Sequence, residues 1–159
     1  MDPKRLIIKQ TYSAIPSAAS DDFTSQAGHT GIDNISQQEA ERIPQRGDVW
    51  FVDLGFHPGT SVQEGCRPVV ILSNDTANFH SETLTVVPMT TRLKKSHLPT
   101  HVILAGECPP METSMVLGEQ LTTVGKPALR SYVGSLSPNK TREVELAVEA
   151  HLGLASNRA

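Results

Sequence analysis

The chain has 159 residues, a net charge of −3 and a hydrophobic share of 38%, with only 4% aromatic residues. This length allows one domain with its own core, and the negative charge argues against a protein that coats nucleic acid without specificity. Two cysteines, Cys66 and Cys108, are too few for a disulfide framework or a structural zinc site. No apolar run reaches the ~20 residues that span a bilayer, so the reducing cytoplasm is the expected compartment.

Residues 1–43 differ in composition from the rest, because they are rich in Ser, Ala, Gln, Asp and Gly. Such a segment buries too little apolar surface to offset the entropy of ordering, so we predict a flexible N-terminal extension. Within it, 5–9 is compatible with an edge strand. The capping-box spacing of Ser36 and Glu39 is compatible with a short helix at 36–42. The compact domain is predicted to span 44–155.

Several apolar runs rich in β-branched residues predict short strands. They lie at 49–54, 68–72, 84–89, 100–104 and 132–136, with one longer strand at 114–124. The cap-rich segment 73–80 is predicted to join the second and third strands as a loop or a single helical turn. Loops or turns are predicted at 55–65, 92–97, 106–110 and 125–127.

The periodicity changes near the end of the chain. Ser137 is suited to cap a helix, Pro138 to occupy its first position and Gly153 to end it. The predicted buried face of this helix carries Val144, Ala147, Val148 and Leu152. Short strands followed by one helix predict a mainly β fold with a C-terminal helix, as a small, bent antiparallel sheet or barrel.

Arg67 and Thr90 stand at the ends of two predicted strands, one just before 68–72 and the other just after 84–89. If these strands are neighbours, both side chains lie near the same surface. Arg67 is either a solvated surface residue or an anion clamp, since guanidinium matches phosphate oxygens with a fixed fork of donors. Thr90 is either an ordinary strand residue or an added donor to a developing phosphorane.

Other polar residues admit two interpretations. Arg92, Lys94 and Lys95 form either a solvated loop or a rim that tracks phosphates. Glu119 and Gln120 are either ordinary sheet-surface residues or readers of base edges.

The six histidines are scattered through the chain. They are His29, His57, His80, His97, His101 and His151. Since none has a metal-ligand spacing on a predicted helix, we expect neither a metal site nor a cofactor. Cys66 adjoins Arg67 but has no base nearby in the sequence, so it is not an expected nucleophile.

An ordered set of segments resembles the MazF/PemK family of toxin endoribonucleases. The matching segments are 46–54, 65–71 with Asn74 and Asp75, 87–90, 98–101, 119–123 and 150–154. Each is weak alone, but together they follow the family's order and spacing from about residue 45 to 154.

The resemblance implies an SH3-like, CcdB-type barrel that forms a homodimer. It also implies metal-independent, sequence-specific cleavage of single-stranded RNA, including mRNA, leaving a 2′,3′-cyclic phosphate and a 5′-hydroxyl. A short antitoxin would cover the RNA groove. Arg67 matches the family's catalytic arginine and Thr90 its catalytic threonine. The residues expected to contact RNA are His57, Ser61, Gln63, Arg92, Lys94, Lys95, His101, Glu119 and Gln120.

Two segments depart from the family: the N-terminal extension of about 43 residues, which is unusual for so short a family, and the loop after the first predicted strand. Residues 55–66 read GFHPGTSVQEGC, one residue longer than the usual run resembling Gly-Ser-Glu-Gln-Gly-Gly, so target choice is not carried over. Two other functions stay open from the residues alone: a gyrase poison of the CcdB fold that cleaves nothing, and an inactive barrel that binds RNA or antitoxin. Incubation with a long RNA in EDTA separates these from the nuclease.

Overall fold

The computed structural model describes residues 42–107 and 112–154. The strand expected at 5–9 and the helix expected at 36–42, apart from Arg42, lie outside the described residues. No helix in the described ranges is both long and apolar enough to cross a membrane.

The described part of the chain contains seven strands and two α-helices. The strands are β1 (Asp48–Asp53), β2 (Cys66–Ile71), β3 (Thr83–Thr90), β4 (His101–Leu104), β5 (Ser114–Leu117), β6 (Thr122–Gly125) and β7 (Leu129–Ser135). The helices are α1 (Asp75–His80) and α2 (Pro138–Leu152), and 3₁₀ turns occupy Gly118–Gln120 and Lys126–Ala128. The predicted mainly β fold with a C-terminal helix is confirmed.

The strands pair antiparallel in the order β4-β5-β3-β2-β1-β7, and β6 pairs with β3 outside that path, so the sheet is not closed. The central strand β3 changes partner along its length. Val86 lies opposite Thr122 of β6, whereas Met89 lies opposite Val116 of β5. Pro88 falls in this interval and, lacking an N–H, donates to neither neighbour.

Strands β1, β2 and β3 are covered by apolar side chains on both faces of the sheet. Val70 and Val87 belong to one apolar cluster, while Val69 and Val86 belong to a second. Alternate residues of a strand point to opposite faces, so these strands read as continuous apolar runs. The first cluster packs beneath α2, against Val144, Ala147 and Val148. The second contains Trp50, whose ring meets that of Tyr132 edge-on at 5.5 Å.

The local signals at the ends of the helices act as predicted. Asn74 caps α1, its side-chain oxygen accepting from the Ala77 N–H at 2.8 Å, so the predicted single turn is a six-residue helix. Ser137 accepts from the Lys140 N–H at 3.3 Å at the start of α2, and Gly153 ends it with a φ of 67°.

The prediction that Leu152 lies on the buried face of α2 is wrong, because its side chain is 50% exposed. Leu152 is the last helical residue, and the final turn extends past the core cluster that Val144 and Val148 join.

The single strand predicted at 114–124 is also wrong. β5 ends at Leu117, and the chain makes a 3₁₀ turn before β6. At Gly118 a Cβ would lie 2.8 Å from the Thr100 carbonyl oxygen and 3.1 Å from the backbone carbon of Ala147. This close approach of α2 and the strand-linking backbone leaves room only for glycine, and the chain turns there.

Candidate active site

β2 and β3 bring Arg67 and Thr90 to the same end of the sheet. Their last paired position sets Val69 opposite Pro88. The recorded pairs stop there; the same register continued by two residues would set Arg67 opposite Thr90. β2 and β3 are therefore neighbours, which is the condition under which the sequence predicts that Arg67 and Thr90 lie near the same surface.

The Arg67 side chain is exposed, and its Nε atom makes one hydrogen bond within the domain. Its Nε–H donates to the carbonyl oxygen of Glu64 at 3.0 Å. Within the described ranges Arg67 forms no ion pair, so its terminal N–H groups are available to an anion. This arrangement fixes the direction of a phosphate clamp while leaving its donors unused.

Thr90 is half-buried, and its Oγ1 accepts from the backbone N–H of Arg92 at 3.1 Å. Because the oxygen serves as an acceptor there, the hydroxyl hydrogen is left to donate to another group. Thr90 thus supplies a neutral donor at the strand end.

The loop 55–65 between β1 and β2 is closed by its own backbone. The Gly65 N–H donates to the Gly55 carbonyl at 2.8 Å, and the Leu54 N–H donates to the Gly65 carbonyl at 3.0 Å. Inside the loop, the His57 N–H donates to the Glu64 carboxylate at 2.9 Å. The His57 Nε2 lies 2.9 Å from the Leu54 carbonyl oxygen, so this predicted RNA contact helps to shape the loop.

Gln120 joins that loop to the body of the domain. Its Oε1 accepts from the Gln63 backbone N–H at 2.7 Å, and its Nε2 donates to the Ser61 carbonyl at 3.1 Å. The structure therefore brings together Gln120, Gln63 and Ser61, with the last two joined through backbone atoms.

His101 ties the basic loop to the 3₁₀ turn that carries Glu119. Its Nε2 lies 3.0 Å from Glu119 Oε1, and its Nδ1 lies 2.8 Å from the Lys95 carbonyl oxygen. The His101 side chain is only 6% exposed. Lys95 adopts a left-handed backbone with a φ of 54°. Glu119 Oε2 is buried and has no hydrogen-bond partner among the described residues.

Eight cations of the described residues fall into two groups, and Arg42 and Lys126 belong to neither. Arg67, Arg92, Lys94 and Lys95 are exposed and form no ion pair within the described ranges. We call these four residues the cationic rim. By contrast, Arg46, Arg142 and Lys140 pair with glutamates of α2, and Arg130 pairs with Asp53. Exposed cations without acidic partners are suited to bind phosphates.

A cleft of about 590 Å³ lies beside the strand ends. Its lining includes His57, Gln63, Pro88, Glu119 and Gln120, but neither Arg67 nor Thr90. Four predicted site residues thus line the cleft, namely His57, Gln63, Glu119 and Gln120. Thr90 and the cationic rim lie at or after the strand ends, while Ser61 and His101 line neither region and contact Gln120 and Glu119.

Glu64 was not among the predicted site residues, although its carbonyl holds Arg67 and its carboxylate holds His57. The available signal was its place three residues before Arg67, at the end of a loop flanked by glycines. Cys66 is exposed with a free thiol. Within the described ranges, no three His, Cys, Asp or Glu side chains are grouped as metal ligands.

Comparison with known proteins identifies the family of this chain. Residues 45–152 match the family described as the PemK-like, MazF-like toxin of type II toxin-antitoxin system. A protein named Endoribonuclease MazF from Staphylococcus saprophyticus is 40% identical over 116 residues, covering 72% of this chain and 96% of that protein.

Solved structures show the same likeness. An endoribonuclease from a mycobacterial species, in complex with its cognate antitoxin, is 30% identical with a TM-score of 0.60, covering 72% of this chain and 99% of that one. MazF from Deinococcus radiodurans is 21% identical with a TM-score of 0.62, covering 71% and 99%, and supports the fold. The chain therefore belongs to the PemK-like, MazF-like family of toxins of type II toxin–antitoxin systems.

Proposed function

We propose that this toxin endoribonuclease cleaves single-stranded RNA, including mRNA, at specific sequences and without a metal ion. The substrate's own 2′-hydroxyl attacks the adjacent phosphate, leaving a 2′,3′-cyclic phosphate and a 5′-hydroxyl. The observation that carries this proposal is the pairing of β2 with β3, which sets Arg67 and Thr90 at one sheet end with unused donors.

The chemistry needs neutralisation of the charge that develops on the phosphorane. Arg67 supplies a guanidinium whose direction is fixed by the Glu64 carbonyl, and Thr90 adds a neutral hydroxyl donor. Since guanidinium stays protonated at neutral pH, Arg67 acts here as an electrostatic clamp. Holding the 2′-oxygen in line with the leaving oxygen supplies further acceleration.

The RNA strand runs along the cationic rim and beside the cleft. Arg92, Lys94 and Lys95 contact phosphates in this proposal. The residues that contact bases or shape their pockets are His57, Ser61, Gln63, His101, Glu119 and Gln120. Unpaired bases expose the edges that amide and carboxylate groups read.

The proposed partners are a second copy of the chain and a cognate antitoxin. A homodimer extends the groove that one small domain offers to several nucleotides. The mycobacterial relative was solved with its cognate antitoxin, which supports an antitoxin partner here. In this proposal the antitoxin covers the cationic rim, the activity resides in the domain 44–155, and the toxin acts on mRNA in the cytoplasm.

The test is cleavage of a long RNA by the full chain in excess EDTA, with the product ends determined. Cleavage at a few fixed sites with 2′,3′-cyclic phosphate ends is expected, and a 2′-deoxy substitution at a cut site should block that cut. Arg67→Ala should lower the rate by about a hundredfold or more. The matched control is Arg142→Ala, which removes an exposed arginine on α2.

An intact RNA would overturn the nuclease proposal, and cleavage that EDTA abolishes would overturn metal independence. Equal rates for Arg67→Ala and the parent would remove Arg67 from the mechanism.

A further inference from the structure

The direction of the Arg67 guanidinium depends on the loop 55–65. Its Nε–H is bonded to a backbone atom of that loop, the Glu64 carbonyl oxygen, at 3.0 Å. Any movement of residue 64 therefore changes the anchor of the side chain that clamps the phosphate.

Gln120 holds the loop backbone just before residue 64. Gln120 accepts from the N–H of Gln63, the residue before Glu64, and donates to the carbonyl of Ser61. The side-chain amide thus makes the same kind of hydrogen bonds to the loop backbone that a neighbouring strand would make. The two bonds span 57 and 59 residues, so they join the loop to a separate part of the domain.

We infer that Gln120 is a positioning residue for Arg67. It holds residues 61 and 63 so that the Glu64 carbonyl meets the Arg67 Nε–H. This inference rests on the proposed function only in taking Arg67 as the phosphate clamp. A positioning role is distinct from the reading of RNA bases. Both polar atoms of the Gln120 amide are already bonded to loop backbone.

The first measurement is a kinetic double-mutant cycle with Gln120→Met and Arg67→Lys. Methionine has a similar length but neither amide group, so the loop loses its tie. The expected result is a kcat about tenfold lower, with KM changed by less than about twofold, because a misdirected clamp slows the chemical step. Lysine has no Nε–H, so Gln120→Met should cost little further rate in the Arg67→Lys background.

The second measurement does not depend on activity. The ¹H–¹⁵N signal of the Arg67 Nε–H should exchange slowly with water in the parent and rapidly in Gln120→Met. Unchanged backbone amide signals from β1, β2 and β3 would show that the variant is folded. Gln63→Ala keeps the backbone N–H that Gln120 binds, so it is the matched control and should preserve slow exchange.

These readouts separate two kinds of failure. If the parent leaves RNA intact, the proposed function fails while the Nε–H signal still tests the role of Gln120. Slow exchange retained in Gln120→Met would overturn the inference.

A second result would also overturn it. If Gln120→Met raises KM, alters the sequence preference and has the same effect in the Arg67→Lys background as in the parent, then Gln120 reads bases. If Gln120→Met does not fold, Gln120→Glu keeps the oxygen that accepts from Gln63 and replaces the donor to Ser61 with a charged oxygen that repels the Ser61 carbonyl. That variant should exchange faster than the parent, and unchanged exchange would again overturn the inference.

Discussion

His101 Nε2 and Glu119 Oε1 lie 3.0 Å apart and link two segments that are 18 residues apart in the chain. The other ring nitrogen faces the Lys95 carbonyl at 2.8 Å. The ring therefore braces the basic loop against the 3₁₀ turn.

His101→Ala is expected to weaken RNA binding through the loop. The Lys95 carbonyl loses its bond to the ring, which supports the left-handed backbone there, so the lysines of the rim lose their fixed placement. The log–log slope of RNA affinity against salt should become shallower by about one unit for each phosphate that the loop no longer neutralises. His97→Ala is the matched control, since His97 is exposed in the same loop. An unchanged slope for His101→Ala would contradict this role.

Thr90→Val is expected to lower the single-turnover cleavage rate by about a hundredfold, because it removes the hydroxyl donor while keeping the side-chain shape. Thr90→Ser should restore most of the rate. Thr91→Val, which removes the next hydroxyl along the chain, should cut RNA at the parent rate. A similar loss in both valine variants would point to a structural cause.

Gly118→Ala is expected to lower the free energy of unfolding by about 1–3 kcal/mol, because the new Cβ would press on the Thr100 carbonyl and on α2. Urea unfolding measures the change. The matched control is Gly125→Ala, where a Cβ would meet only the Pro127 side chain at 3.5 Å. Equal stability of the two variants would contradict the close packing at Gly118.

The ion pairs of Glu145 are expected to make the free energy of unfolding smaller in acid. Partial burial raises its pKa, but hydrogen bonds from Arg142 and Arg46 outweigh burial and leave the pKa below its ordinary value of 4.5. A lowered folded pKa stabilises the fold above the unfolded pKa, and this contribution disappears as pH falls through the folded pKa.

The free energy of unfolding should therefore fall between pH 6 and pH 3, and Glu145→Gln should remove about 0.5–1 kcal/mol of that fall. Glu82→Gln, at an exposed position, is the control. An identical pH dependence in the parent and Glu145→Gln would contradict the assignment.

The parts of the fold that were predictable carry local signals. β1, β2 and β3 each carry two valines, and β2 also carries an isoleucine. Ser137 and Gly153 mark the ends of α2 by their own chemistry. The MazF/PemK resemblance and the endoribonuclease class, both inferred from ordered motifs, are confirmed by the comparisons.

The parts that were missed depend on distant contacts. The strand predicted at 114–124 ends before Gly118, where the backbone of Ala147, 29 positions later, lies 3.1 Å from the place that a Cβ would occupy. Gln120 finds its partners in the loop 55–65, and His101 finds its own in Lys95 and Glu119. No local sequence pattern predicts such long-range pairings. The roles of Gln120 and His101 in the site therefore remain predictions.

The separation of the cations has a consequence for how the protein meets a polyanion. The chain as a whole is negative, with a formal charge of −3, while the cationic rim is gathered beside the strand ends. In the proposed function, a nucleic acid that approaches Arg142 on α2 meets a charge already balanced by Glu145 and Glu149. At the rim no carboxylate among the described residues balances the cations, so the long-range field would orient the RNA toward that side of the domain before any base is read.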